Sequence, residues 1–181
     1  MESLQRAAVV FSLIDALSDA GSWCGETHIQ KATYFLQELL DVQLGYDFIL
    51  YKYGPYSFDF HDDLQSWRGD DLLRVEIRNQ YGPSILPHAP GEKIKDLYPK
   101  TLCRYKTQID AVATKLGPLS VSQLERLATA LYVTRENGAT PDVEARAIRL
   151  TELKPHVSVD DAIRAVNDVD AFRRDTRPLL S

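Results

Sequence analysis

Residues 45–69 read GYDFILYKYGPYSFDFHDDLQSWRG and interrupt what would otherwise be a chain of helices. Tyr46 to Tyr53 alternates aromatic and aliphatic side chains densely enough to predict a strand. Gly54-Pro55 is expected to stop it. Ser57 then suits a helix N-cap, with Asp59 in the first turn, where a carboxylate meets the positive end of the helix dipole. A short helix should follow to about Trp67.

Upstream, Leu4 to Leu17 is apolar around most of a helical circumference, with Gln5, Arg6, Ser12 and Asp15 left to one sector, so this helix belongs near the centre of the fold. Gly21 and Gly25 bracket a turn. Thr27 and Gln30 have capping-box spacing, which predicts a second helix through about Leu40 with Ile29, Ala32, Leu36, Leu39 and Leu40 facing inward.

Downstream, Leu72 to Ile77 alternates again, Asn79 to Gly82 carries turn chemistry, and Ser84 to Leu86 can return beside it as a hairpin. After Pro90 and Gly91 the chain reads as helix: Glu92 to Tyr98, a break at Pro99, then Leu102, Tyr105, Ile109, Val112 and Leu116 at 3.6-residue spacing. Ser122 with Glu125, Thr140 before Pro141, and Ser158 with Asp161 are expected to open three more helices, ending near Asn137, Leu153 and Phe172.

The expected class is therefore mainly α with a small β component (α+β). The order helix, helix, strand, helix, hairpin suggests a winged-helix-like unit over residues 1–90, with the hairpin as wing. Residues 91–181 would form a helical lobe packed on it, giving one compact domain overall.

The chain has 181 residues, 44% hydrophobic and 26% charged, with a formal net charge of -5. These values exclude a collagen-like fibre or a disordered tail. Cys24 and Cys103 are the two cysteines, a usage that suits a reducing cytosol better than a disulfide-stapled scaffold, and both are expected as buried fillers. The first residues lack a basic leader and carry Asp15 inside their apolar stretch, so a cytoplasmic protein is expected.

Within the second helix, Ile29-Gln30-Lys31-Ala32-Thr33-Tyr34-Phe35-Leu36-Gln37 resembles the LQKLLYFAQ pattern of the Panacea domain, the SocA-like antitoxin family of bacteria and phages. That family has a Gly-Pro element downstream, matched in place by Tyr53-Gly54-Pro55-Tyr56-Ser57. The Tyr-Gly-Pro-Tyr-Ser form is nearer to related uncharacterised bacterial proteins, some of which carry a late Leu-Lys-Pro like Leu153-Lys154-Pro155. The resemblance implies a helical module that contacts other proteins: members neutralise toxins, one delivers its toxin to a protease, and several sit among mobile-element and phage-defence genes. It implies no enzymatic activity. This chain departs from the antitoxin pattern at Tyr56-Ser57-Phe58-Asp59, where a more aliphatic continuation is expected.

Tyr46, Tyr51, Tyr53 and Tyr56 crowd the strand and its turn, with Phe48, Phe58 and Phe60 beside them. Exposed rings of this kind act as rigid binding anchors. Alternate side chains of a strand point inward, so about half of them should be core. Tyr51 and Tyr53 share one parity with Asp47 and Ile49; Phe48, Leu50 and Lys52 share the other. Tyr53 and Tyr56 are the candidate anchors, with Asp59, Asp62 and Asp63 steering a basic partner. Lys31, on a motif position of the resemblance, could meet Asp59 or Asp63 across the fold or reach a partner's carboxylate.

No complete catalytic motif occurs: there is no GxGxxG, no GxxxxGK[ST] and no GxSxG, so no cofactor and no enzyme are expected. Cys24, His28, His61, Asp62 and Asp63 lack the second tight ligand pair of a zinc site. A winged helix raises the question of nucleic acid. Arg68 to Lys115 holds nine Lys or Arg and six Asp or Glu. Residues 57–67, before the wing, carry Asp59, Asp62 and Asp63 and no Lys or Arg, which would repel phosphate. The leading expectation is a non-enzymatic interaction module, antitoxin-like or adaptor-like, whose partner is a toxin, a protease or a defence-system component; a homodimer is also compatible. The alternative is a DNA-binding winged-helix transcriptional regulator using Arg74, Arg78, Lys93, Lys95 and Arg104.

Overall fold

The computed structural model describes residues 1–78, 82–136 and 141–180. Helices make up 68% of it, and the class is mainly α with a small β component. In chain order the elements are α1 (Ser3–Asp19), α2 (Glu26–Glu38), β1 (Ile49–Tyr51), β2 (Gly54–Tyr56), α3 (Phe58–Gly69), β3 (Leu73–Arg78), β4 (Gly82–Pro87), α4 (Ala89–Leu97), α5 (Pro99–Leu116), α6 (Val121–Arg135), α7 (Val143–Leu153) and α8 (Val159–Thr176), followed by a 3-10 turn over Arg177–Leu180.

The apolar circumference of α1 has the consequence expected of it. Ala7 to Phe11, Leu13, Ile14 and Leu17 are fully buried, and α4, α5, β4 and α2 pack around the helix. Helix α2 is the second central element, lying against α5, α6 and β2. The tight fit at α1 shows at Gly91 in the first turn of α4, where a Cβ would collide with the Leu72 carbonyl and press on the Phe11 ring. One apolar core cluster runs from Ala7 to Phe172 and so draws on both halves of the chain. Its C-terminal part is tied by Arg146 of α7, which is buried and forks onto Asp170 of α8 at 2.9 and 2.6 Å while reaching the Thr134 hydroxyl of α6 at 3.1 Å.

The β component is two separate antiparallel hairpins. Only Ile49–Tyr51 of the expected Tyr46–Tyr53 strand enters a ladder, and Gly54-Pro55, instead of ending the β structure, begins the return strand in the register Ile49↔Tyr56, Leu50↔Pro55, Tyr51↔Gly54. The second hairpin follows the expected course, pairing Leu73 with Pro87 and Ile77 with Pro83. Its turn residues 79–81 lie outside the described residues.

Three helix starts differ from the sequence expectation. Gly25, not Thr27, precedes α2, and Gln30 turns away to bond a distant backbone. Helix α6 is capped by Ser120 through a capping box with Gln123, so that Ser122, the expected cap, lies inside the first turn. Asp142 caps α7 by accepting from the Glu144 and Ala145 amides; the expected cap Thr140 lies outside the described residues, as does Asn137. Ser57 and Ser158 cap α3 and α8 as expected, though α8 continues past Phe172 to Thr176.

Candidate functional site

The β1–β2 hairpin turns through Lys52 and Tyr53 and enters β2 at Gly54, whose φ of +91° lies in the left-handed region that glycine takes without strain. Gly54 and Pro55 are buried, and a Cβ on Gly54 would lie 3.2 Å from the Thr129 hydroxyl and 3.6 Å from Lys31 Cε. The underside of the hairpin therefore presents backbone rather than side chains to the helices below it.

Polar side chains meet that backbone. Lys31 Nζ of α2 donates to the Pro55 carbonyl at 2.8 Å. Lys154, from the segment between α7 and α8, donates to the Lys52 carbonyl and, at 3.4 Å, to that of Tyr51. Gln30 acts as a short surrogate strand: its Nε2 donates to the Ser57 carbonyl at 3.0 Å and its Oε1 accepts from the Ser57 amide at 3.1 Å. Ser57 then accepts from the Phe60 amide and opens α3.

Glu125 supplies the negative charge beside both lysines. Burial pushes the Lys31 ammonium down to about 8, with Glu125 opposing the shift and Lys154 adding to it. Burial raises Glu125, and the nearby Lys31 and Lys154 pull it back.

The upper face carries the rings. Along residues 41–51 odd-numbered side chains are exposed and even-numbered ones turn inward, as the parity predicts. Ile49 and Tyr51 are each 45% exposed, Phe58 is 51% exposed, and Tyr53 at the tip reaches 63%. Tyr51, Tyr56 and Phe58 form a triangle of rings with centroids 5.1 to 5.9 Å apart. Tyr56 is half-buried, and its hydroxyl donates to Glu26 at 3.1 Å; burial and that carboxylate push the phenol up to about 12. His61 Nδ1 meets the same Glu26 oxygen at 2.6 Å. Asp59 and Asp62 stand exposed at the edge of this aromatic surface.

The candidate residues thus divide. Tyr53, Tyr56, Asp59 and Asp62 share the hairpin and the α3 edge. Lys31 does not belong to the surface: at 1% exposure it reaches neither Asp59 nor Asp63, because the hairpin carbonyl takes it. Asp63 turns inward, accepting from the Tyr46 hydroxyl at 2.8 Å and pairing with Arg6 at 3.2 Å. Ile49 and Phe58 were not singled out as anchors by the sequence, although strand parity with Tyr51 already points to Ile49. Lys154 is visible in sequence only through the Leu-Lys-Pro resemblance.

The residues considered for nucleic acid are dispersed in role. Arg74 pairs with Glu76 at 3.0 Å, and Lys95 is bound by Asp15 and by Glu92 at 2.6 Å. Lys93 is exposed, and Arg104 is exposed with its guanidinium 5.3 Å from the Tyr105 ring centre. The Arg78 side chain lies outside the described residues.

The residues weighed for metal do not converge. His28 is buried and its Nε2 lies 2.9 Å from the Leu116 carbonyl, far along the chain from His61 with its Glu26 partner. Among the described residues no group of three or more His, Cys, Asp or Glu could hold a metal ion. Cys24 is buried, and its thiol is pushed up to about 11 by that burial; Cys103, expected as a filler, is exposed. Among the described residues no helix is long and apolar enough to cross a membrane. Compared with known proteins, the chain matches no family model and no curated protein.

Proposed function

We propose that this protein is a non-enzymatic interaction module, antitoxin-like or adaptor-like, that recognises a partner protein through the aromatic face of the β1–β2 hairpin and the start of α3. The observation that carries this reading is the set of exposed side chains Ile49, Tyr51, Tyr53 and Phe58 on the hairpin and the start of α3, with the hairpin held from beneath by Lys31, Lys154 and Gln30. Large exposed rings on a pre-positioned support lose little conformational freedom on binding, which favours them as hot spots.

The edge residues define the partner's chemistry. Asp59 and Asp62 are exposed carboxylates beside the rings, so the complementary surface is apolar at its centre and carries Lys or Arg at one side. The resemblance to the Panacea domain makes the products of adjacent genes the first partners to test.

Binding of those gene products to the wild-type chain should weaken about thirtyfold or more in Tyr53→Ala/Phe58→Ala, the loss expected of hot-spot truncation. Asp62→Arg should slow association and reduce its salt dependence. Both variants alter exposed residues, so an unchanged thermal melt accompanies the expected loss. Full binding by both variants, or no binder among the adjacent gene products, would reject this reading.

A further inference from the structure

A second feature, independent of the aromatic hairpin, lies where the C-terminal ends of α6 and α8 converge. A cleft of about 770 Å³ there is lined by Arg135, Arg173, Arg174 and Arg177 over a floor that includes Leu39 and Leu131. That size falls within the range of small-molecule sites.

Of the residues that line this cleft four are arginines and one, Glu38, is a carboxylate. Glu38 is already engaged, pairing with Arg135 at 2.6 Å while the Glu38 carbonyl accepts from the same guanidinium. Arg173 and Arg174 are felt by Asp170, but both Asp170 oxygens are held by Arg146. Arg173, Arg174 and Arg177 make no ion pair within the described residues, and all three are exposed.

Basic residues in the last turn of a helix are favoured by its dipole. That accounts for one or two arginines at each helix end. It does not account for both ends being brought together around one concave space, in a chain whose net charge is -5. Arg173 and Arg177 are four residues apart, Arg174 and Arg177 three, and like charges at those spacings repel unless an anion lies between them. A cleft lined by one sign of charge concentrates its field on a ligand of the opposite sign.

The residue type narrows the ligand. All four cations are arginine, whose planar fork bonds phosphate oxygens in pairs. A long polyanion is disfavoured by Asp175, exposed between these arginines in sequence, and by Glu38 at the wall. We infer that the cleft between the ends of α6 and α8 binds a small ligand carrying at least two phosphates, held by Arg173, Arg174 and Arg177 with Arg135 at its side.

Calorimetric titration of the full chain with magnesium-free ATP, with inorganic pyrophosphate and with adenosine, at low ionic strength, tests this. ATP and pyrophosphate should both bind and adenosine should not. Tighter binding of ATP than of pyrophosphate identifies a nucleotide as the source of the phosphates, and equal binding identifies a free polyphosphate. Arg173→Glu/Arg177→Glu should weaken both about tenfold or more without lowering the melting temperature, and Arg174→Gln should weaken them less. Absence of binding at millimolar ligand, equal binding by the charge-reversed variant, or arginine-dependent binding of duplex DNA in place of ATP would each overturn the assignment.

Discussion

The two hairpins differ in length, three residues to a strand in β1–β2 and six in β3–β4, and are opposite in how they are held. Each has two antiparallel strands, and a lone pair of strands is at best marginally stable in water, so each depends on what lies beneath it. The β3–β4 hairpin buries Leu73 and Ile85 in the core and adds one backbone bond, from the Ile85 amide to the Cys24 carbonyl at 2.9 Å. The β1–β2 hairpin sends its rings outward and has little side chain left to bury at its return strand. Its carbonyls are gripped instead by Lys31 and Lys154, and Gln30 secures the Ser57 junction. Apolar burial can hold a strand whose large side chains point down. A strand whose large side chains point outward needs its backbone held.

The strongest way to break this contrast is Lys31→Ala. It leaves the Pro55 carbonyl without its donor and opens a cavity beneath Gly54, which together should cost about 2–4 kcal/mol in urea unfolding. The Tyr51–Tyr56–Phe58 near-ultraviolet signal should fall in the same variant. A cost below about 1 kcal/mol, with that signal intact, would mean that apolar contacts alone position the hairpin.

The burial of α1, the Ser57 and Ser158 caps and the β3–β4 ladder were legible in sequence because each leaves a local pattern, an apolar circumference, a cap spacing or an alternation with a turn. The alternation over residues 41–51 was also legible, even though only Ile49–Tyr51 forms a ladder, since side-chain parity follows from extended backbone with or without pairing. The lysine support was not legible. Gln30 and Lys31 look like ordinary polar positions on a helix, and what buries them is backbone 24 to 27 residues away, which periodicity does not report. Ser120 and Ser122 both have a Glu or Gln three residues on, so the spacing alone does not choose between them. The arginine cleft joins residue 135 to residues 173–177, and only the folded chain brings these together.

A titration sharpens the comparison with a smaller effect. Lys31 loses its proton at about 8 in the folded chain, against its ordinary value of 10.5. Between those values the unfolded chain holds more protons, so stability rises with pH; below about 8 both states are charged and the full penalty of burying the ammonium is present. The neutral amine still carries a donor for the Pro55 carbonyl, so the hairpin keeps its tie. Cys24, pushed up to about 11, works in the opposite sense above pH 9, and for that reason the reference is Lys31→Met, which leaves Cys24 in place. From pH 7 to 9.5 the wild type should gain about 1–2 kcal/mol over Lys31→Met in matched denaturant curves. Parallel profiles would show that Lys31 titrates near its ordinary value and is not effectively buried.

The smallest effect belongs to the other hairpin, within β3. Ile77 is 82% exposed, so its side chain loses almost no contact with water on folding. Ile77→Ser should change stability by less than about 0.5 kcal/mol, the range of surface substitutions away from structural features. Strand preference favours isoleucine slightly, which sets the sign as a small loss. The measurement is informative because Ile77 and Tyr53 are both highly exposed large side chains on two-stranded hairpins. If exposure alone made a binding surface, Ile77→Ser would weaken partner binding as Tyr53→Ala/Phe58→Ala is expected to. On the proposed function it leaves binding unchanged, since Ile77 belongs to β3 and not to the hairpin that carries the Tyr51–Tyr56–Phe58 ring group.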